Sequence, residues 1–142
     1  MNRRELILGG SALVLSAGLA RAQESGEHHH HDASASPLAK AAADCVTNGD
    51  ACLQHCLEAL GAGDTSLAAC AKAVVEMSTV NSALARLAVS RSSRLPAMAK
   101  IAVDASRACE AECRKHQDKH AVCKACADSC AQVVREAGAV AG

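Results

Sequence analysis

Phenylalanine, tryptophan and tyrosine are all absent from the 142 residues. Strands usually draw on aromatic and β-branched residues, so any core here must come from Ala, Leu, Val and Cys, which favours closely packed helices. The same absence removes the stacking platform on which nucleic-acid binding rests. Charge of one sign is also missing: Lys plus Arg and Asp plus Glu each total 15. No net field therefore steers the chain toward nucleic acid or anionic lipid. The length suits one small domain.

The N-terminal stretch MNRRELILGGSALVLSAGLARA reads as an address. A short positive start precedes an apolar run from Leu6 to Ala20, and Ala20-Arg21-Ala22 is a small-x-small cleavage pattern. The run is short for a membrane span, so no stable membrane insertion is expected. Arg3-Arg4 just before Leu6 and Ile7 resembles a twin-arginine export signal. Residues 1–22 are thus expected to be removed near Ala22, leaving a periplasmic or otherwise exported protein. Residues 23–36, QESGEHHHHDASAS, are too polar to fold alone. His28 to His31 within them make either a flexible metal-capturing arm or a solvated tail without a role.

Residues 37–142 carry four amphipathic segments. Ser36-Pro37 is a helix start, with Ser as cap and Pro in the first turn. That helix is expected to run to about Leu60 and to break at Gly61-Ala62-Gly63-Asp64, with Asn48-Gly49 a point of kinking or restart inside it. Asp64 or Thr65 caps a second helix to about Ser90. After the connection RSSRLP, a third helix runs to about His116, and a fourth from near Asp118 to Gly138. Four helices of similar length joined by short loops predict an all-α, up-down-up-down four-helix bundle.

The nine cysteines are Cys45, Cys52, Cys56, Cys70, Cys109, Cys113, Cys123, Cys126 and Cys130. Their spacings within each helix keep side chains on one face. On the third helix, Ala99, Ala102, Ser106, Cys109, Cys113 and His116 form one stripe. With about 1.5 Å of rise per residue, Cys56, Cys113 and Cys123 fall nearest the end where the first and third helices finish. Cys52, Cys70, Cys109 and Cys126 fall a turn deeper, and Cys45 and Cys130 deeper still. The expectation is a cysteine-lined half of the core, with Leu84, Leu87, Leu95, Ile101 and Val134 filling the other half.

Thiolates are soft ligands that select Cu(I), Zn(II) or iron–sulfur clusters. Structural zinc wants one closed tetrahedral group, and nine thiols spread over several depths exceed it. Cu(I) takes two or three thiolates, and neighbouring ions can share sulfurs, so multiple Cu(I) ions per chain fit the stripe best. His116 and His120 fall at the cysteine-rich end, where imidazoles could pass copper inward; solvated turn residues are the plainer reading. His55 is expected to face away from the interior. Met77, a heptad beyond Cys70, is either a thioether ligand or core filler. A disulfide-stapled scaffold is the competing reading, because exported proteins meet an oxidising compartment and Cys109/Cys113 with Cys126/Cys130 form twin C-x3-C pairs. Nine is odd, and Cys123 shares the same face, which counts against it. An enzyme is not expected: no single thiol stands apart with an orienting partner and an oxyanion loop. Ferredoxin-like C-x2-C-x2-C spacing is missing.

The segments CVTNGDACLQHC (45–56), Cys70 in LAACAKAV, and CEAECRKHQDKHAVCKACADSC (109–130) resemble the bacterial copper storage proteins. That resemblance implies a four-helix bundle holding many Cu(I) ions through core cysteines, export by twin-arginine signal, self-assembly of bundles, and supply of copper to exported or membrane copper enzymes. Asn81, Ser106 and Val134 stand where richer members would extend the thiols, which implies a lower capacity. It also leaves open a copper chaperone, or a detoxifying, metallothionein-like sponge.

Overall fold

A computed structural model describes residues 36–142. The expected export signal, its cleavage near Ala22, and the arm bearing His28–His31 lie outside the described residues. Four helices follow one another: α1 (Pro37–Gly61), α2 (Ala68–Val89), α3 (Leu95–Arg114) and α4 (Ala121–Ala141), with a short 3-10 turn, Thr65–Leu67, ahead of α2.

Local chemistry sets most of the boundaries. Ser36 Oγ accepts the Ala39 N–H at 3.2 Å, and Pro37 supplies a first position that needs no donor. After α1 the chain reverses through Gly63, whose φ of +88° suits a residue without a side chain. Asp64 then caps the 3-10 turn by accepting the Ser66 N–H at 2.9 Å. Pro96 sits in the first turn of α3, as its position after RSSRL predicts.

The helices pack in a ring, α1 against α2, α2 against α3, α3 against α4 and α4 against α1. Short connections make successive helices antiparallel. The architecture is the up-down-up-down bundle the sequence predicts. Alanines with no exposed surface, among them Ala42, Ala99, Ala102, Ala127 and Ala137, line the centre and leave room for sulfur.

Four expectations need correction. Asn48-Gly49 neither kinks nor restarts α1. Asn48 turns its amide back onto the Asp44 carbonyl at 3.0 Å, and Gly49 is buried against α2. A Cβ there would lie 2.6 Å from Ser78 Oγ and 2.8 Å from Met77 Cε. The glycine serves close approach of two helices, and its propensity cost of ~1 kcal/mol is the cost of that contact. The turn joining α3 to α4 is longer than expected, residues 115–120. It is held by the N–H groups of His116 on Cys113 O and of His120 on His116 O, both 3.0 Å. Helix α4 does not fade at Gly138 but continues to Ala141, because Val140 and Ala141 still pack on the core.

The fourth correction concerns the sulfur-poor half. Leu84 is fully buried as expected, while Leu87, Leu95 and Val134 are only half-buried and Ile101 is 54% exposed. Ile101 precedes Ala102 by one position, about 100° around the helix, and so points away from the buried face. Val133, three residues after Cys130, keeps the face that Val134 leaves, and it is fully buried.

Candidate metal centre

All nine cysteines have no exposed surface, and all nine are free. Helix α1 supplies Cys45, Cys52 and Cys56, α2 supplies Cys70, α3 supplies Cys109 and Cys113, and α4 supplies Cys123, Cys126 and Cys130. Each helix aims them inward because their spacings of three, four or seven hold one face. The spacings put Cys113 level with Cys56 and Cys123, whereas its sulfur lies against those of Cys70 and Cys109 and in one trio with Cys52 and Cys126.

The sulfurs form a connected column. Cys52 lies 3.7 Å from Cys123 and 3.9 Å from Cys70, and Cys70 lies 3.4 Å from Cys113. Cys113 continues to Cys109 at 3.9 Å, and Cys109 to Cys126 at 3.9 Å. Cys45 closes the far end, 3.7 Å from Cys130. These separations are far longer than the ~2.05 Å of an S–S bond. Three trios have all their sulfurs within 4.8 Å of one another: Cys52/Cys56/Cys70, Cys52/Cys113/Cys126 and Cys109/Cys126/Cys130. Cys52 belongs to two trios and Cys126 to two. Ions held in adjacent trios would therefore share a bridging sulfur. The arrangement is compatible with binding soft metal ions.

Hydrogen bonding among the thiols decides which of them ionise readily. Cys70 is pulled down to about 3, first by the bond from Cys113 and then by that from Cys52. Cys126 is lowered by the thiols of Cys109 and Cys113, and Cys45 by that of Cys130. The donors move the other way: Cys113 and Cys130 are raised, each with Cys109 as the leading neighbour. At the outer end, burial pushes Cys56 up to about 12 and Cys123 up to about 11. Cys70, Cys126 and Cys45 are thus lowered by the thiols that donate to them, while Cys113, Cys130, Cys56 and Cys123 are raised.

At the cysteine-rich end the rings of His55, His116 and His120 gather. His55 Nε2 is 2.9 Å from His120 Nδ1 with ring centroids 4.7 Å apart, and the His116 ring lies 6.5 Å from that of His120. The sequence places His116 and His120 at this end correctly. His55, expected to face away, joins them. The available signal was its position one residue from Cys56, beside the returning turn. Asp64 is close by: its carboxyl is held below the usual range first by the Ser66 N–H and hydroxyl, and further by His120 and His116.

At the opposite end of the column, Met77 is fully buried and its Sδ lies 3.2 Å from Cys45 Sγ. Asn81 and Ser106, both fully buried, join across α2 and α3 at 3.1 Å, Asn81 Nδ2 donating to Ser106 Oγ. They occupy two of the three stripe positions that the sequence marks as lacking sulfur.

A family model described as copper storage protein (Csp) matches residues 29–142. The match takes in all four helices and every residue of the sulfur column. No curated protein matches the chain.

Proposed function

The chain belongs to the copper storage protein family, and on that premise we propose that it stores several Cu(I) ions on its nine core thiolates and later supplies them to a copper-requiring exported or membrane enzyme. The single observation behind this reading is the unbroken run of sulfur contacts, from Cys56 and Cys123 at one end to Cys45 at the other. A zinc site would be one closed group of four. Here the trios overlap, which suits an ion that accepts two or three thiolates and tolerates bridging.

Loading follows from the geometry. Cu(I) meets His55, His116 and His120 first, where neutral imidazoles are competent ligands. It passes to Cys52, Cys56, Cys70 and Cys123, each of which binds it as a thiolate, and those still protonated release their proton. The metal stays Cu(I) throughout, so no oxidant or reductant is consumed. Burial then keeps water and oxidants from the thiolates. Export by the twin-arginine route, which carries folded cargo, would deliver the thiols already enclosed. Among the described residues no helix is long and apolar enough to cross a membrane.

Anaerobic Cu(I) titration against a Cu(I)-specific chelator tests the proposal: several ions per chain are expected. Saturation at one ion, or four disulfides in protein prepared under reducing conditions, would overturn it. The Asn81–Ser106 pair favours a second reading, because it halts the column and limits capacity. A chaperone or sponge would then hold only a few ions. Dissociation rate separates the two: a store retains copper until an acceptor is added, whereas a chaperone exchanges quickly with one partner.

A further inference from the structure

We infer that the inner end of the column carries a distinct Cu(I) site made by the Cys45 thiolate and the Met77 thioether, flanked by Cys130 and closed by Asn81. This rests on the storage reading and adds a ligand type and a charge state to it. Cys45 belongs to none of the three trios. Its nearest sulfur is instead that of Met77, toward which the Cys45 thiol points at 3.2 Å. A thiol and a thioether sulfur this close can converge on one soft cation. Cu(I) entering there displaces the thiol proton, Cys45 becomes a thiolate, and copper bonds to both sulfurs with no change of oxidation state.

The seat is built for Met77. Gly49 faces it, and any side chain at that position would meet Met77 Cε at 2.8 Å. A mid-helix glycine is unfavourable, and here its effect is to let the thioether lie beside Cys45. Asn81 Nδ2, 3.9 Å from Cys45 Sγ, provides a donor for the sulfur once it is anionic, and it is anchored by Ser106. Asn81 Oδ1 is buried without a partner.

Charge explains why a thioether belongs here. Two thiolates on one Cu(I) leave a net charge of −1, while one thiolate and one thioether leave none. Buried net charge is costly, most so farthest from the mouth. A neutral site therefore suits the closed end. It also excludes Zn(II), whose protein ligands are thiolate, imidazole and carboxylate, whereas thioether sulfur favours Cu(I).

The test uses the full chain, anaerobically, with Cu(I) delivered from a chelator complex. Met77→Leu is nearly volume-conserving and should bind one tight Cu(I) fewer than the wild type, the remaining ions titrating as before. Selenium-edge X-ray absorption on selenomethionine-labelled wild-type protein supplies a readout independent of the variant's folding. Copper loading should place a copper neighbour on selenium, and Met77→Leu should abolish it. An unchanged copper count in Met77→Leu, or no copper next to selenium in loaded wild type, overturns this site while leaving storage intact. A wild type that takes up no more than one ion overturns both.

Discussion

His55 and His120 face each other at the cysteine-rich end, Nε2 to Nδ1 at 2.9 Å, one from near the end of α1 and the other from the residue that opens α4. His55 adjoins Cys56 in sequence and His120 lies three residues before Cys123, the nearest cysteine to each. A group that acts at the entrance alters how fast copper enters without altering how much the interior holds. His55→Ala combined with His120→Ala should slow Cu(I) loading several-fold in anaerobic stopped-flow measurements and leave the final count unchanged. A lower count with an unchanged rate would assign the rings to storage.

The sulfur contacts make a second kinetic prediction. Cys123 touches Cys52 at 3.7 Å and Cys113 touches Cys70 at 3.4 Å, so both link the outer thiols to the rest. Cys45 lies at the far end, its sulfur against Cys130, Met77 and Asn81. Replacing Cys113 and Cys123 together by Ala should therefore slow loading more than Cys45→Ala. Cys45→Ala should chiefly reduce the final count. Equal rates for the two variants would contradict entry from the histidine end.

Periodicity made the bundle and the inward stripe legible, because spacings of three and four state which face a residue holds without reference to its partners. Ala99, Ala102, Ser106, Cys109 and Cys113 could be read in this way, and all are buried. Pairings across helices were less accessible. Whether His55 meets His120 depends on how the 115–120 turn folds back, and no local pattern specifies that. Ile101 and Val134 depart from expectation because position around the helix, and not apolar character, sets their burial. Gly49 departs from expectation because propensity states the cost of a glycine and not the neighbour that makes it necessary.

Gly49 yields a prediction on stability. Ala at this position would recover ~1 kcal/mol of helix propensity, but its Cβ would press on Ser78 Oγ at 2.6 Å and Met77 Cε at 2.8 Å. Overpacking of this kind costs roughly 1–3 kcal/mol, and both obstructing atoms are side-chain ends that can give way. The balance is a metal-free protein destabilised by about 1 kcal/mol in reversible urea unfolding under reducing conditions. Met77→Ala in the same chain should relieve part of the strain. Stabilisation by Gly49→Ala alone would show that α1 and α2 separate without cost.

The raised thiols predict how metal-free stability responds to alkali. Cys56 at about 12 and Cys123 at about 11 stand well above an unfolded thiol, mainly through burial, the unfolded value being about 8.5. Above that value the unfolded chain releases these protons while the folded chain still holds them, so ionisation favours unfolding. The stability associated with both groups is intact below pH ~8.5 and is lost as pH rises through 11 and 12. Cys70, lowered to about 3, acts in the opposite window: its contribution is complete above pH ~8.5 and is lost as pH falls toward 3. Thermal melting of the reduced, metal-free protein should therefore worsen steeply from pH 9 to pH 12. Copper removes the thiol protons before unfolding begins, so the loaded protein should show little of this alkaline decline. A metal-free protein as stable at pH 12 as at pH 8 would mean that Cys56 and Cys123 are not held protonated by burial.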